Sequence, residues 1–295
     1  VEPAPEEYAL LDAGDGRRLE RFGRFVLDRP APAVGGTPRR DPAAWAAADA
    51  RFERDAGTGA GTWLLPGSLP PAWPIRVDDL VLELRPAPAG GVGFFPEHVA
   101  VARWAAVRAA TLALAAGRPP LVLNLFAHTG LATLALARAG AAVAHVDASR
   151  PAVAWARRNA ELSDLADRPI RWLVDDAGRF VAREARRGRR YDGVLLDPPT
   201  YGHGPRGIPW RLEEGLAGLL AVVRGILAPE RWFVACTAHA AGLDGALLEA
   251  LVRSALEPAP GTTELRELAL GTASGARLAA GWAVLAEAAA AGPGR

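Results

Sequence analysis

The chain contains no lysine and no methionine, and its 295 residues include one cysteine, Cys236. Without lysine a P-loop is excluded, since that phosphate cradle depends on a lysine ammonium. A single cysteine excludes an intrachain disulfide framework and a thiolate zinc site, and it suits a reducing compartment. Charge of one sign is also missing, because 34 arginines meet 33 acids for a net charge of +1. Such a balance carries no global signature of nucleic-acid or membrane binding. An all-arginine basic set with abundant Ala, Gly and Pro is expected of a GC-rich genome, and the guanidinium fork also suits phosphate oxygens. Apolar stretches such as Thr111 to Ala116 are too short to cross a bilayer. Val1 reads as a processed or alternative start, and the acidic, proline-containing stretch Val1–Glu7 is unlike a signal peptide. The expectation is a soluble, cytoplasmic protein with no membrane partner and no metal.

What is present divides in two. Residues 1–92 hold short apolar runs, Tyr8–Asp12, Arg17–Gly23 and Arg24–Asp28, the first two separated by the turn pair Asp15-Gly16. Breaks rich in proline and glycine follow, then the strand-like Leu80–Leu84. This predicts a small β-rich module, and with 11 Arg against 14 acids it is not a basic arm. Residues 93–287 alternate in period. Helices are expected at 98–116, 131–138, 151–162, 177–187, 210–227 and 244–256, and strands at 121–126, 142–146, 170–174, 191–197 and 232–237. Regular βα repetition predicts an α/β fold with a doubly wound, mainly parallel, Rossmann-like sheet. Two further strands, 264–270 and 277–285, are expected antiparallel at one edge, and 288–295 as a disordered tail.

Three strand ends carry polar groups. After the first comes Asn124-Leu125-Phe126-Ala127-His128-Thr129-Gly130 and then a helix, a natural site for a carboxylate or phosphate. After the second comes Asp147-Ala148-Ser149, where an acid can take both ribose hydroxyls or cap the following helix. After the third, Asp175 and Asp176 can accept from an adenine amino group or serve as a cap. With one glycine, the first loop lacks the spacing a pyrophosphate needs. An adenosine bearing a carboxylate, such as S-adenosylmethionine, tolerates such a loop.

The fourth strand ends in Asp197-Pro198-Pro199-Thr200-Tyr201. Two prolines fix their own φ and bias the preceding residues toward extended geometry, so the segment is a stiff elbow at a carboxyl edge. It can hold the Asp197 carboxylate and the Pro198 carbonyl as acceptors toward a planar, hydrogen-donating substrate.

Together with Gly93-Phe94-Phe95-Pro96-Glu97-His98, the stretches Val122–Gly130, Val146–Ser149 and Leu196–Tyr201 resemble the bacterial S-adenosylmethionine-dependent large-subunit ribosomal RNA methyltransferases, which include 5-methylcytosine and 7-methylguanine enzymes. The resemblance covers roughly residues 90–245, and Tyr8–Pro32 resembles small members without an extra RNA-binding domain. It implies that Phe95 closes over the cofactor, that Asn124, Phe126, Ala127, His128, Thr129 and Gly130 hold its methionine portion, and that Asp147 with its neighbours Ala148 and Ser149 takes the ribose. Asp176, beside Asp175, would take the adenine. Asp197 and Pro198 would line the acceptor pocket, with Tyr201 stacking on a base or packing at the loop base.

The sequence departs from that pattern at His128, where the family has tyrosine, and at Leu131, where a second glycine is common. The cysteine of cytosine-C5 enzymes aligns with Ala238. Cys236 lies two residues earlier, about 6–7 Å deeper along the strand, and reads as a buried core thiol, so a nitrogen acceptor is at least as plausible. Arg179, Arg183, Arg186, Arg187, Arg189 and Arg190 form a basic cluster that suits either a solvated helix face or an RNA track. A small-molecule or protein acceptor, or a non-catalytic adenosine- or RNA-binding module, are the rival readings.

Overall fold

A computed structural model describes residues 7–55, 60–65, 69–203, 209–239, 244–257, 261–272, 275 and 277–288. Two compact units emerge, one of residues 1–97 with 269–279, the other of 98–268 with 280–295.

In the first unit, β1 (Tyr8–Gly14), β2 (Arg17–Phe22) and β3 (Phe25–Pro30) form an antiparallel meander. Asp15 and Gly16 both sit at positive φ, 51° and 71°, as a two-residue primed turn requires. A short helix α1 (Pro42–Ala46) is capped by Asp41, whose carboxylate accepts from the Ala43 and Ala44 amides. Strands β4 (Ala50–Arg54) and β5 (Gly61–Leu64) complete a five-stranded sheet in the order β1-β2-β3-β4-β5, and β6 (Trp73–Val77) and β7 (Leu80–Leu84) make a separate hairpin. A buried ion network crosses the meander. Arg29 Nη2 lies 2.6 Å from Glu20 Oε2, and the Tyr8 hydroxyl donates to Glu20 Oε1 at 3.0 Å.

The second unit alternates α2 (Val99–Ala116), β8 (Leu121–Leu125), α3 (Leu131–Arg138), β9 (Ala142–Asp147), α4 (Arg150–Leu162), β10 (Ile170–Val174), α5 (Ala177–Arg186) and β11 (Gly193–Leu196). A small hairpin, β12 (Tyr201–His203) with β13 (Pro209–Arg211), follows the elbow; it was not expected, because the prolines signal only an interruption. Then come α6 (Leu212–Ile226), β14 (Phe233–Ala238) and α7 (Gly245–Leu256), and finally β15 (Gly261–Gly271) and β16 (Arg277–Ala288). The seven strands are ordered β10-β9-β8-β11-β14-β16-β15, parallel from β10 to β14 with β16 antiparallel to β14. This is the doubly wound, mainly parallel sheet that the alternation predicts, with its antiparallel edge. Of the expected tail 288–295, Ala288 closes β16 and the remainder lies outside the described residues.

Burial explains the layers. β8, β11 and β14 are apolar nearly throughout because helices cover both faces. On one face Phe180, Leu220, Val223, Leu248 and Val252 pack against Leu123, Leu125, Val194, Leu196 and Val234. On the other, Val101, Ala105, Ala109, Leu136 and Ala137 meet Val122, Val143, Leu195 and Ala235. By length and mean hydropathy, 1.4 over its best window, the Pro96–Ala116 segment also qualifies as a candidate membrane span. Helix α2 within it lies along α3, with Val101, Ala102, Ala105 and Ala109 buried.

Candidate active site

Strand order reverses between β8 and β11, and in open α/β sheets ligands bind in the crevice beyond the carboxyl ends at that reversal. The parallel register brings those ends level. Leu196 pairs with Leu125 and with Cys236, Leu125 with Val146, and Val174 with Asp147. The carboxyl ends of β8, β9, β10, β11 and β14 therefore lie along one edge.

The loop after β8 is wound by left-handed backbone at three positions, Phe126 (φ 54°), His128 (φ 48°) and Gly130 (φ 93°). For a side-chain-bearing residue that conformation costs about 1–3 kcal/mol and persists where the surroundings enforce it, often at ligand sites. Enforcement is visible here. The Ala127 amide donates to the Val146 carbonyl at 3.1 Å, the His128 amide to Asp147 Oδ2 at 2.8 Å, and Asn159 Nδ2 to the Thr129 carbonyl at 2.9 Å. At Gly130 a Cβ would stand 3.0 Å from the Ala156 Cβ. Helix α3 starts there without a side-chain cap, so its first-turn amides suit a ligand carboxylate. Asn124 does not point into this loop: it is buried and donates to Thr133 Oγ1 at 2.9 Å, and Thr133 bonds His145 Nδ1 at 2.9 Å. The sequence reading of Asn124 as a loop ligand is thus replaced by a buried chain that supports the loop from below. Burial holds the His128 imidazole below its ordinary pKa despite Asp147 and Asp197 nearby.

Asp147 receives two loop amides, His128 on Oδ2 and Ser149 on Oδ1 at 2.8 Å, while α4 is capped by Ser149 Oγ instead. The cap reading of Asp147 therefore fails, and its carboxylate is left fixed at the edge beside Ala148. At the third end, Asp176 is the N-cap of α5, accepting from the Arg179 amide at 2.9 Å, and Asp175 pairs with Arg183 at 2.6 Å. Both acids have structural duties. Within the arginine cluster, Arg187 also pairs with Glu184 and Arg190 donates to the Gly225 carbonyl, so part of that charge is spent locally. Phe95 belongs to the first unit and is 40% exposed.

Asp197 stands at the end of β11 in a cluster that sequence reasoning did not find. Thr237 Oγ1 donates to its Oδ1, His239 Nε2 lies 3.2 Å from Oδ1, and His98 Nδ1 lies 3.7 Å from Oδ2. The two imidazoles stack with centroids 4.7 Å apart, and their Nε2 atoms are 2.7 Å apart. Burial acts to raise the Asp197 carboxyl, but the two histidines and the Thr237 hydroxyl outweigh it and hold the group well below the usual carboxylate range. Two imidazoles and a carboxylate are also a donor set that divalent metals use. Zinc–nitrogen bonds of about 2.0–2.1 Å at tetrahedral angles would set the nitrogens roughly 3.3 Å apart, so 2.7 Å is the spacing of a hydrogen bond. Pro198 is buried, and of Tyr201 only the backbone, paired with Arg211, is described. Cys236 is fully buried and its thiol pushed up by burial, as its depth in the strand predicts; Ala238, the residue at the strand's end, carries no nucleophile.

A solved structure titled as the SAM-dependent methyltransferase from Agrobacterium tumefaciens is similar over 97% of this chain and 91% of its own, with 33% identity and a TM-score of 0.88. The chain belongs to the S-adenosylmethionine-dependent methyltransferases. The family described as Conserved hypothetical protein 95 matches residues 105–205 of this methyltransferase. Ribosomal RNA large subunit methyltransferase K/L of Shewanella sp. (strain ANA-3) is 36% identical over 87 residues, and that of Syntrophotalea carbinolica is 40% identical over 80. Those matches cover 29% and 27% of this chain but only 12% and 11% of the relatives' length. The structure of SMU.776 complexed with SAH shares the fold at 16% identity, TM-score 0.77, over 96% of this chain and 75% of its own. S-adenosylmethionine is accordingly the methyltransferase's cofactor. The residues present fit it: an uncapped helix start for the carboxylate and an anchored acid, Asp147, for the ribose.

Proposed function

We propose that the protein transfers the methyl group of S-adenosylmethionine to a nitrogen of an RNA base, in large-subunit ribosomal RNA, in the cytoplasm and without a metal. One observation carries the chemistry: an ionised carboxylate, Asp197, fixed by three side chains at the sheet edge where strand order reverses. The sulfonium activates its own methyl group, so the protein's task is to align donor and acceptor and to orient the acceptor's lone pair. A carboxylate and the neighbouring Pro198 carbonyl do this for a group that donates hydrogen bonds. Cytosine C5 chemistry needs a thiolate to add to the ring, and the buried Cys236 argues against it. The ribosomal RNA methyltransferases named above support RNA as the acceptor class.

In this reading the loop 126–130 would hold the cofactor's methionine portion and Asp147 the ribose. Adenine recognition by Asp175 or Asp176 would have to share their capping and ion-pair roles. The test is transfer of tritiated methyl to deproteinised ribosomal RNA, with nucleoside mass spectrometry to locate the methylated atom. The purified protein is expected to label RNA, and Asp197→Asn to lower kcat by about 100-fold while cofactor binding by calorimetry stays unchanged. Labelling of no RNA by cofactor-bound protein would refute the assignment.

A further inference from the structure

Thr129 lies between two residues in left-handed conformation, His128 and Gly130, and the peptide group that follows it is held at both ends. Its carbonyl accepts from Asn159 Nδ2 at 2.9 Å, and the Gly130 amide donates to the Ala127 carbonyl at 3.0 Å. Asn159 comes from the third turn of α4 and has no solvent exposure, and Thr129 is also buried. A carbonyl can only accept, so the side-chain atom facing it is the amide nitrogen. Ala156, three residues before Asn159, shares its face of α4 and stands against Gly130, where a Cβ would come within 3.0 Å of it. One face of α4 thus meets the turn, and Asn159 supplies a polar contact to it.

The contact matters because of what comes next. Helix α3 starts from Gly130, and the amides of Leu131, Ala132 and Thr133 form its first turn, with no side-chain cap. Holding the Thr129 carbonyl against α4 fixes the peptide plane that leads into that turn. Without Asn159 this carbonyl becomes a buried acceptor lacking that donor, and the peptide gains by turning to find another. A turned carbonyl at the start of α3 would set a partial negative charge near the place of a ligand carboxylate. We propose that Asn159 is a positioning residue for the cofactor: through the Thr129 carbonyl it keeps the start of α3 aimed at the carboxylate of the S-adenosylmethionine amino-acid portion. The proposal rests on the reading above that the loop 126–130 holds that portion. Asp147 holds the same loop from β9 through the His128 amide, but in that reading its carboxylate also serves the ribose. Asn159 is thus the contact whose loss should be felt at the amino-acid end of the cofactor alone, in affinity rather than in the chemical step.

Calorimetry with two ligands tests it. S-adenosylhomocysteine carries the amino-acid portion, and methylthioadenosine has the same adenosine and thioether without it. Asn159→Asp keeps the side chain's shape and puts an acceptor where the donor was; Asn159→Leu removes the polar atoms altogether. Each variant should lower affinity for S-adenosylhomocysteine about 10-fold and leave that for methylthioadenosine unchanged. Both ligands report on the same folded protein, so the ratio of the two affinities is independent of any general loss of stability. In the transfer assay both variants should raise KM for S-adenosylmethionine by the same factor, with kcat at saturating cofactor unchanged. Equal losses for the two ligands, or no loss for either, would overturn the proposal whether or not RNA is methylated. A parent protein that binds the two ligands equally well would instead overturn the loop reading beneath it.

Discussion

Lowering the pH should destabilise the second unit through one buried histidine, His145. It lies in β9 with no solvent exposure, its Nδ1 hydrogen-bonded to the Thr133 hydroxyl, which accepts from Asn124 Nδ2. His145 Nε2 is buried without a hydrogen-bond partner among the described residues, so a ring with hydrogens on both nitrogens would leave a charged donor unsatisfied, and the ring is neutral. Burial pushes its pKa down to about 3, with His128 adding in the same direction. The unfolded chain titrates near 6.5, so between pH 6.5 and 3 the unfolded state binds the proton and the native state does not. Stability is therefore lost as pH falls through that window. From pH 7 to 4.5 the loss from this residue is about 2–3 kcal/mol. Asp197 does not confound the range, because a depressed carboxyl loses its contribution only below the ordinary carboxylate value. The assay is urea denaturation at both pH values for the parent and for His145→Gln, whose amide can still hydrogen-bond Thr133. The parent's fall in unfolding free energy should exceed the variant's by that amount. Equal falls would show that His145 is protonated in the native state and that the neutral-ring reasoning is wrong.

Two other substitutions test the site and the first unit. Asp147→Ala should weaken S-adenosylmethionine binding at least about 10-fold by calorimetry, a charged hydrogen-bond acceptor being worth roughly 1.5–3 kcal/mol; unchanged affinity would remove Asp147 from the ribose. Arg29→Ala should destabilise the first unit by about 3–5 kcal/mol in thermal or urea unfolding, because it leaves Glu20, buried with the Tyr8 hydroxyl, without its closest cation.

What could be read from the sequence followed from burial on two faces. Val122, Leu123 and Leu125 are covered by helices on both sides, so β8 appears as an apolar run interrupted by Asn124 alone, and Val194–Leu196 and Val234–Ala235 are apolar for the same reason. The first unit resists such reading because its sheet strands are short and interrupted. β6 alternates buried and exposed residues but carries Pro74 at its second position, which in isolation argues against a strand. It survives because, among the described residues, β6 pairs with β7 alone. The site divides along the same line. Asp197 was legible because two prolines mark it locally, and Asp147 because it ends a strand. Asn124 looks like a ligand residue in sequence and turns out, with Thr133, to be a scaffold, since nothing local distinguishes a side chain pointing under a loop from one pointing out of it. His98 ends the Gly93–His98 stretch and His239 follows a strand end by one residue, yet neither is informative alone. Their meaning comes from register: Cys236 is level with Leu196, which places His239, three residues on, beyond the sheet edge with Asp197. A lone histidine near a strand end is thus best weighed by counting residues past the register of the neighbouring strand's acid, a rule that needs the strand pairing but no side-chain coordinates.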